Sequence, residues 1–387
     1  MPRDASRDVP LRRLLDLLSS MKLTLVCLGL LMVLVVACTL LQVPLGTHLA
    51  VERTIRSFLV WWSPEWSPKK IPIFPGGGLV GAVLLLNLLF AQFLKLERSR
   101  RKAGLWLAHL GLALLFVGEF STALFQVESQ MPVQVGQTRD YSEDTRLMEL
   151  AVVDATDPAK DVVTTIPQSR LEAGAEISAP SLPFKISVKR WYENSDLGMR
   201  KPGDAPSEAD AGLGANLSVR EAPVVTSDDA QNAAAALIEP LGDGGGLGKY
   251  WVSNALGAPQ GFVREGRSWR FILRPRRYYL PFSVTLKEFK HDIYPGTDIP
   301  KNFSSLVHLS DPSHVEDRDA LIYMNNPLRY GGKTFYQASF GQNDQLSVFQ
   351  VVRNPGWLIP YLSCIMVALG LLLHFGVKLS ASLKRAR

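Results

Sequence analysis

Two ionisable residues interrupt an otherwise apolar run in "RKAGLWLAHLGLALLFVGEF", residues 101–120: His109 and Glu119. Such side chains are costly in hydrocarbon, so they face a neighbouring helix, a water-filled cavity or a ligand. A third, His374, lies near the end of another apolar run, within "ALGLLLHFGV". A neutral imidazole nitrogen is a common axial ligand for haem iron. His109 and His374, at matching depth on different helices, could clamp one macrocycle. The competing reading for each is a histidine hydrogen-bonded to a neighbouring helix or reaching toward headgroups. Ten residues of helix turn through about 1,000°, so His109 and Glu119 project about 80° apart and do not form one site unaided. For Glu119, charge balance, a proton relay and a bond to a neighbouring helix all stay open, and a structural bond is the simplest.

The elements that must position these residues follow from hydropathy. The chain has 387 residues, 47% of them hydrophobic, and the apolar ones concentrate in four runs: Leu23–Val43, Gly78–Leu94, Gly104–Phe125 and Trp357–Val377. Each is about long enough to cross a bilayer core of about 30 Å as a helix. The expected organisation is a four-helix integral membrane protein. Residues 1–22 form a cytoplasmic start, 23–43 the first span, 44–77 an outer loop, 78–94 the second span, 95–103 a cytoplasmic loop and 104–125 the third span. Residues 126–356 form a large extracytoplasmic domain, 357–377 the last span and 378–387 a cytoplasmic tail. Lys and Arg concentrate before the first span, between the second and third, and after the fourth, which puts those segments inside. The net charge of +6 is thus explained by topology, and nucleic-acid binding is not invoked. "LVVAC", ending at Cys38, has the look of a lipoprotein cleavage site, but the apolar run continues past it, which favours an uncut span.

In the 44–77 loop, Val51, Ile55, Phe58, Leu59 and Trp62 recur at helical spacing. With Trp61 and Trp66 they predict an amphipathic helix at the interface with an aromatic belt. Haem stacking or partner binding by these tryptophans is the alternative. The 126–356 domain reads as mostly β, from short alternating or β-branched stretches separated by turn residues, and a sandwich-like fold is expected. Residues rich in Gly, Ala, Asp and Pro at about 198–248 predict a flexible insertion.

Several chemistries are excluded. Cys27, Cys38 and Cys364 all fall in apolar runs, so no C-x-x-C is present for dithiol exchange, and no C-x-x-C-H for covalent haem attachment to this chain. No Ser or Cys pairs with His and Asp in a catalytic signature, and "GDGGGLGK" lacks the strand and helix a phosphate loop needs. His48, His291, His308 and His314 read as solvated or locally hydrogen-bonded.

The stretch "YMNNPLRYGGKTFYQASF", residues 323–340, resembles a hallmark of the ResB (CcsB) family of cytochrome c biogenesis proteins: Asn325, Pro327, Leu328 and Gly331, followed by Phe335, Tyr336 and Gln337 before the last span. "HDIYPGTDIPKNFSS", residues 291–305, "RSFLVWW" before the second span and the third-span His followed by Leu-Gly are also similar. So is the layout of three spans, a large domain, a fourth span and a basic tail.

The resemblance implies System II assembly of c-type cytochromes in the bacterial inner membrane. There this chain would act with a CcsA/ResC-type membrane partner to deliver haem b, held transiently as cargo, to an apocytochrome c. It implies that His109 is a haem axial ligand; His374 has no matching family position. The partner's tryptophan-rich haem motif is missing from this chain, so the chain would work as part of a synthase complex. The alternative is a membrane-anchored receptor for apocytochrome that never binds haem. The "TFYQAS" stretch suits a strand with Phe335 inward and Tyr336 and Gln337 offering polar tips. Arg329 and Lys333 beside it could receive haem propionates, although a core strand tying the domain to the last span is the simpler reading.

Overall fold

The computed structural model describes residues 8–63, 69–203, 205–226, 231–296, 300–341 and 344–386. Two compact units emerge: one gathers Met1–Gln126 and Asn354–Arg387, the other Val127–Val225 and Ala230–Arg353.

The first unit is helical: α1 Asp8–Leu18, α2 Met21–Thr54, α3 Gly77–Phe90, α4 Ala103–Phe125 and α5 Ile359–Ala386. A π-helical turn, Ala91–Lys95, extends α3, and a 3₁₀ turn, Arg100–Lys102, precedes α4. Four segments, Met21–Thr54, Gly77–Lys95, Arg100–Phe125 and Ile359–Arg385, are long and apolar enough to cross a membrane. Ser20 caps α2 by accepting from the Lys22 amide at 3.2 Å, satisfying one of the amides a helix start leaves unpaired. The apolar faces of α2 and α3 meet around Cys27, Leu34, Val80 and Leu84. Beside them the buried Asn87 accepts from Thr24 Oγ1 at 2.6 Å and donates to the carbonyls of Leu18 (2.7 Å) and Ser20 (3.0 Å). A lone amide in an apolar run thus pins the α1–α2 turn to α3.

The loop after the first span differs from expectation. Helix α2 kinks at Gly46 (φ +73°), two residues beyond Pro44, and runs on to Thr54. No interfacial helix carries Leu59 and Trp62. They lie in a hairpin instead, β1 Leu59–Trp62 paired antiparallel with β2 Ile71–Pro75, in the register Val60↔Phe74 and Trp62↔Ile71. The aromatic and β-branched run on each arm favours the pleated surface, and Pro72 and Pro75 oppose a helix. Trp61 and Trp62 are half exposed, whereas Trp66 lies outside the described residues.

Helices α4 and α5 pack antiparallel, with backbone against backbone where Gly104 meets Gly370 and α5 side chains against Gly111 and Gly118. A Cβ on Gly104 would meet the Gly370 carbonyl oxygen and the His374 nitrogen, each at 2.5 Å. One on Gly370 would meet the Ala108 nitrogen at 2.5 Å. Small residues that let backbones approach are the usual adhesive between membrane helices.

The second unit is entirely β-rich and lies in the chain between the third and fourth apolar helices. In order it contains β3 Val127–Gln134, β4 Thr138–Asp154, β5 Val162–Pro167, β6 Glu176–Ile177, β7 Lys185–Tyr192, β8 Ser195–Met199, β9 Leu217–Glu221, β10 Ala235–Gly242, β11 Gly245–Gly246, β12 Tyr250–Ser253, β13 Gln260–Arg264, β14 Arg267–Ile293, β15 Pro300–Asp311, β16 Glu316–Tyr323, β17 Leu328–Tyr330, β18 Lys333–Gly341 and β19 Leu346–Arg353. One large sheet runs β16-β15-β14-β4-β3-β19-β18-β17, with β13 on β14 and β5 on β4; a smaller one runs β11-β10-β7-β6, with β12 on β10.

Two cores result. In the first, the sheets pack face to face as a sandwich, with Leu150, Val152, Phe271 and Leu273 of the large sheet against Ile186, Val188, Ala236 and Ile238 of the small one. The second lies inside the curled remainder of the large sheet, around Met131, Phe282, Val307, Phe335 and Phe349. The long strand β14 serves both, and β4, paired along it, lines the first. Their pairing shifts register between Pro275 and Arg277 and again between Tyr279 and Val284, as the chain passes Pro281. Bulges re-aim a strand and tolerate proline. The junction is fixed by the Arg277 guanidinium, which lies 4.0 Å from the Tyr141 ring centroid and donates to Glu143 at 3.1 Å. Tyr278 donates to Asp144 at 2.7 Å; burial first, and then that carboxylate, push its pKa to about 12.

The expected flexible insertion at 198–248 needs correction. Residues 217–221 pair with 195–199 as the β8–β9 hairpin. Strand β10, inside "NAAAALIEPLG", sits between β7 and β12 with Ala235, Ala236, Leu237 and Ile238 fully buried. Alanine is a weak strand former on its own. Here its small size lets the strand fit beneath the stacked Tyr192 and Trp251 rings, whose centroids are 5.7 Å apart.

Candidate functional site

The intramembrane histidines occupy different faces and levels. Gly104, Ala108 and Gly111 define the face of α4 against α5. At about 100° per residue, His109 points about 140° away from that face, to the side of Phe116, which packs on the α2–α3 core. His374 sits at the level of Gly104, where its backbone nitrogen makes the close approach. Five residues of helix, roughly 7–8 Å, separate that level from His109. A clamp by His109 and His374 within one chain is therefore not built, and the expected common depth is not found. Glu119 is exposed and on another face.

His109 is half-buried, and its Nδ1 is enclosed without a hydrogen-bond partner. Nε2 is not among the enclosed unpartnered atoms. One nitrogen thus faces the protein while the other keeps open surface, the disposition an axial ligand needs. The imidazole fits iron as a single ligand from this chain.

The residues of the 323–340 motif build the second core and its turns. Asn325 takes a left-handed φ of +62°, a conformation asparagine tolerates better than most residues. Gly331 (φ +57°) and Gly332 (φ +71°) make the two-residue turn from β17 to β18, and a Cβ on Gly331 would lie 2.6 Å from the Phe282 ring. Leu328 and Phe335, paired across that hairpin, are both buried. Tyr336 points out, 38% exposed. Gln337 turns inward, accepting from Ser305 Oγ at 2.6 Å and donating to Ser347 Oγ at 2.9 Å, so it ties β18 to β15 and β19. Pro327 precedes β17. Lys333 is half-buried; burial first, and then the Arg353 guanidinium, lower its pKa.

Beside the motif, Tyr330 donates to Asp311 Oδ2 at 2.8 Å, His314 Nδ1 lies 2.9 Å from the same oxygen, and the Ser313 amide donates to Oδ1 at 2.9 Å. Burial raises the Asp311 carboxyl, but these bonds and the His314 charge outweigh it and hold the pKa at about 2 against an ordinary 3.8. A carboxyl lowered on folding stabilises fully above its unfolded pKa and loses that contribution as pH falls through the folded value. Thermal unfolding of the full protein is therefore expected to lose stability between about pH 4 and pH 2 more steeply than Asp311→Asn. Parallel curves for the two proteins would contradict this assignment.

His308 and His291 serve local pairs, and His48 is exposed. His308 lies between Asp317 (2.6 Å from Nε2) and Asp319 (2.8 Å from Nδ1), and His291 is 3.3 Å from Asp344 with its ring 4.4 Å from that of Phe340. Among the described residues no group of three or more His, Cys, Asp or Glu is arranged to hold a metal. Sequence reasoning passed over Gln92, 1% exposed at the start of the π-helical turn, with Oε1 enclosed and unpartnered. Its signal was an amide inside "NLLFAQFLK", a place where no apolar helix requires one.

The site and fold define a class: a protein with four apolar membrane-length helices and a large β-rich domain between the third and fourth. Residues 248–348, which contain the motif and most of the second core, match the model of the ResB-like family. A stretch of 98 residues is 38% identical to Protein NrfI of Wolinella succinogenes. The match covers 25% of this chain and spans 11% of the length of NrfI.

Proposed function

We propose that this protein is an assembly factor in cytochrome c biogenesis. It acts with a CcsA/ResC-type membrane partner to present haem for attachment to the thiols of an apocytochrome c. The ResB-like segment supports the biogenesis role. His109 carries the haem-handling part: a membrane-depth imidazole with an enclosed Nδ1 and an open Nε2. Haem is the cargo, and its iron gains one ligand from this chain. The second comes from the partner, because His374 lies at another level on another face. One ligand from each protein holds the macrocycle yet permits release; a complete cage in either would trap it. With Lys and Arg flanking the first, third and last spans on one side, the chain sits in a bacterial cytoplasmic membrane and the β-rich domain lies outside. Lys333 and Arg353 offer cationic partners for propionates or for an acidic apocytochrome surface.

The test is an absorption spectrum of the protein purified with its CcsA/ResC-type partner, wild type and His109→Ala, before and after imidazole is added. The expected result is a haem band lost in His109→Ala and restored by imidazole. An unchanged band in the variant removes His109 from ligation. No haem in either preparation replaces this reading with that of an apocytochrome receptor.

A further inference from the structure

A histidine that ligates iron through Nε2 normally donates Nδ1–H to an acceptor, which fixes the tautomer and aims the ring. In His109 that nitrogen is enclosed and unpartnered among the described residues. An acceptor in the same condition stands beside it. Gln92 is 1% exposed, its Nε2 donates to the Trp106 carbonyl at 3.2 Å, and its Oε1 has no partner. The carbonyl of residue i in a helix is flanked by the side chains of residues i+3 and i+4, which here are His109 and Leu110. The Gln92 amide therefore lies near the base of the His109 side chain. Both unpartnered atoms are enclosed, so water does not readily reach either one, and each costs free energy until it is paired.

The local structure exists to hold Gln92 there. Gln92 is the second residue of a π-helical turn, Ala91–Lys95, of the kind that recurs at functional sites. The turn is locked onto α4 by Trp106, whose Nε1 donates to the Glu97 carbonyl at 3.1 Å and whose ring meets Phe93 edge-on at 5.5 Å.

We propose that Gln92 accepts the Nδ1–H of His109, so that α3 sets the imidazole tautomer that leaves Nε2 free as a ligand. Gln92 is a positioning residue: it acts on iron only through His109, and its consequence for haem rests on the function proposed above. In that arrangement Nε2 of Gln92 keeps the Trp106 carbonyl.

The test compares wild type, Gln92→Leu, which removes the acceptor, and Gln92→Glu, which retains one. The full chain is labelled with ¹⁵N-histidine and reconstituted in lipid bilayers, and the His109 signals are assigned by their loss in His109→Ala. Without haem, Nδ1-protonated His109 is expected in wild type and Gln92→Glu, and a mixture of tautomers in Gln92→Leu. With the partner present, haem affinity is expected to fall about 10–100-fold in Gln92→Leu and to recover in Gln92→Glu. The same tautomer in Gln92→Leu as in wild type overturns the proposal. A wild type that shows the expected tautomer shift but binds no haem refutes the functional reading alone and leaves the Gln92–His109 bond standing.

Discussion

Phe335→Ala is expected to destabilise the β-rich domain by about 3–5 kcal/mol, the usual cost of emptying a large aromatic site in a packed core. Phe335 has no exposed surface. It meets the Phe282 ring at 6.1 Å with the planes inclined at 68°, and it pairs across the β17–β18 hairpin with Leu328. Phe282 itself is held edge-on to Tyr330 at 4.9 Å and lies over Gly331. Truncation at 335 therefore opens a cavity lined by side chains from three strands and by a tight turn, none of which can collapse into it cheaply. Its neighbour Tyr336 is 38% exposed, and Tyr336→Ala is expected to cost less than about 1 kcal/mol. Thermal unfolding of the full protein reads both. Equal losses for the two variants would mean that the strand does not face as described.

Gly104→Leu is expected to separate α4 from α5. The space a side chain would need is already filled by backbone, the Gly370 carbonyl and the His374 amide, each 2.5 Å from where a Cβ would stand. Backbone atoms in a regular helix cannot move aside as the end of a flexible side chain does. The cost is thus expected at or above the top of the about 1–3 kcal/mol range for overpacking. Gly29 is the control, since nothing lies within 4 Å of a Cβ there. Gly29→Leu is expected to leave the melting temperature in detergent unchanged while Gly104→Leu lowers it by several degrees. Similar behaviour of the two would contradict the close packing.

The membrane helices were the most legible part of the chain, because a run of apolar residues long enough to span hydrocarbon has few other uses. Their ends were less so. Helix α2 persists eleven residues beyond Val43, to Thr54, since polarity ends a span without ending a helix. Residues 51–62 carry a helical spacing that ends in the hairpin's first arm; pairing of Leu59–Trp62 with Ile71–Pro75 overrides it, and only tertiary contact reveals that. Strand β10 was hidden for a related reason: an alanine run flanked by Gly and Asp looks like low complexity until Tyr192 and Trp251 close over it. His109 stood out by its chemistry in an apolar run. Gln92 did not, because a neutral amide attracts attention only when its oxygen is found enclosed and unpartnered. The orientation of His109 away from α5 depends on the glycine face of α4, which identifies itself once both helices are in view.

The measurement that bears most directly on the proposed role is haem staining of membrane proteins from cells with and without this chain, under conditions that retain only covalently attached haem. The account predicts that c-type cytochromes lose their stain without the chain and regain it when wild type is restored, but not with His109→Ala, while b-type haem, read by absorption of the same membranes before denaturation, is unchanged. Full staining of c-type cytochromes in the absence of the chain would contradict the account.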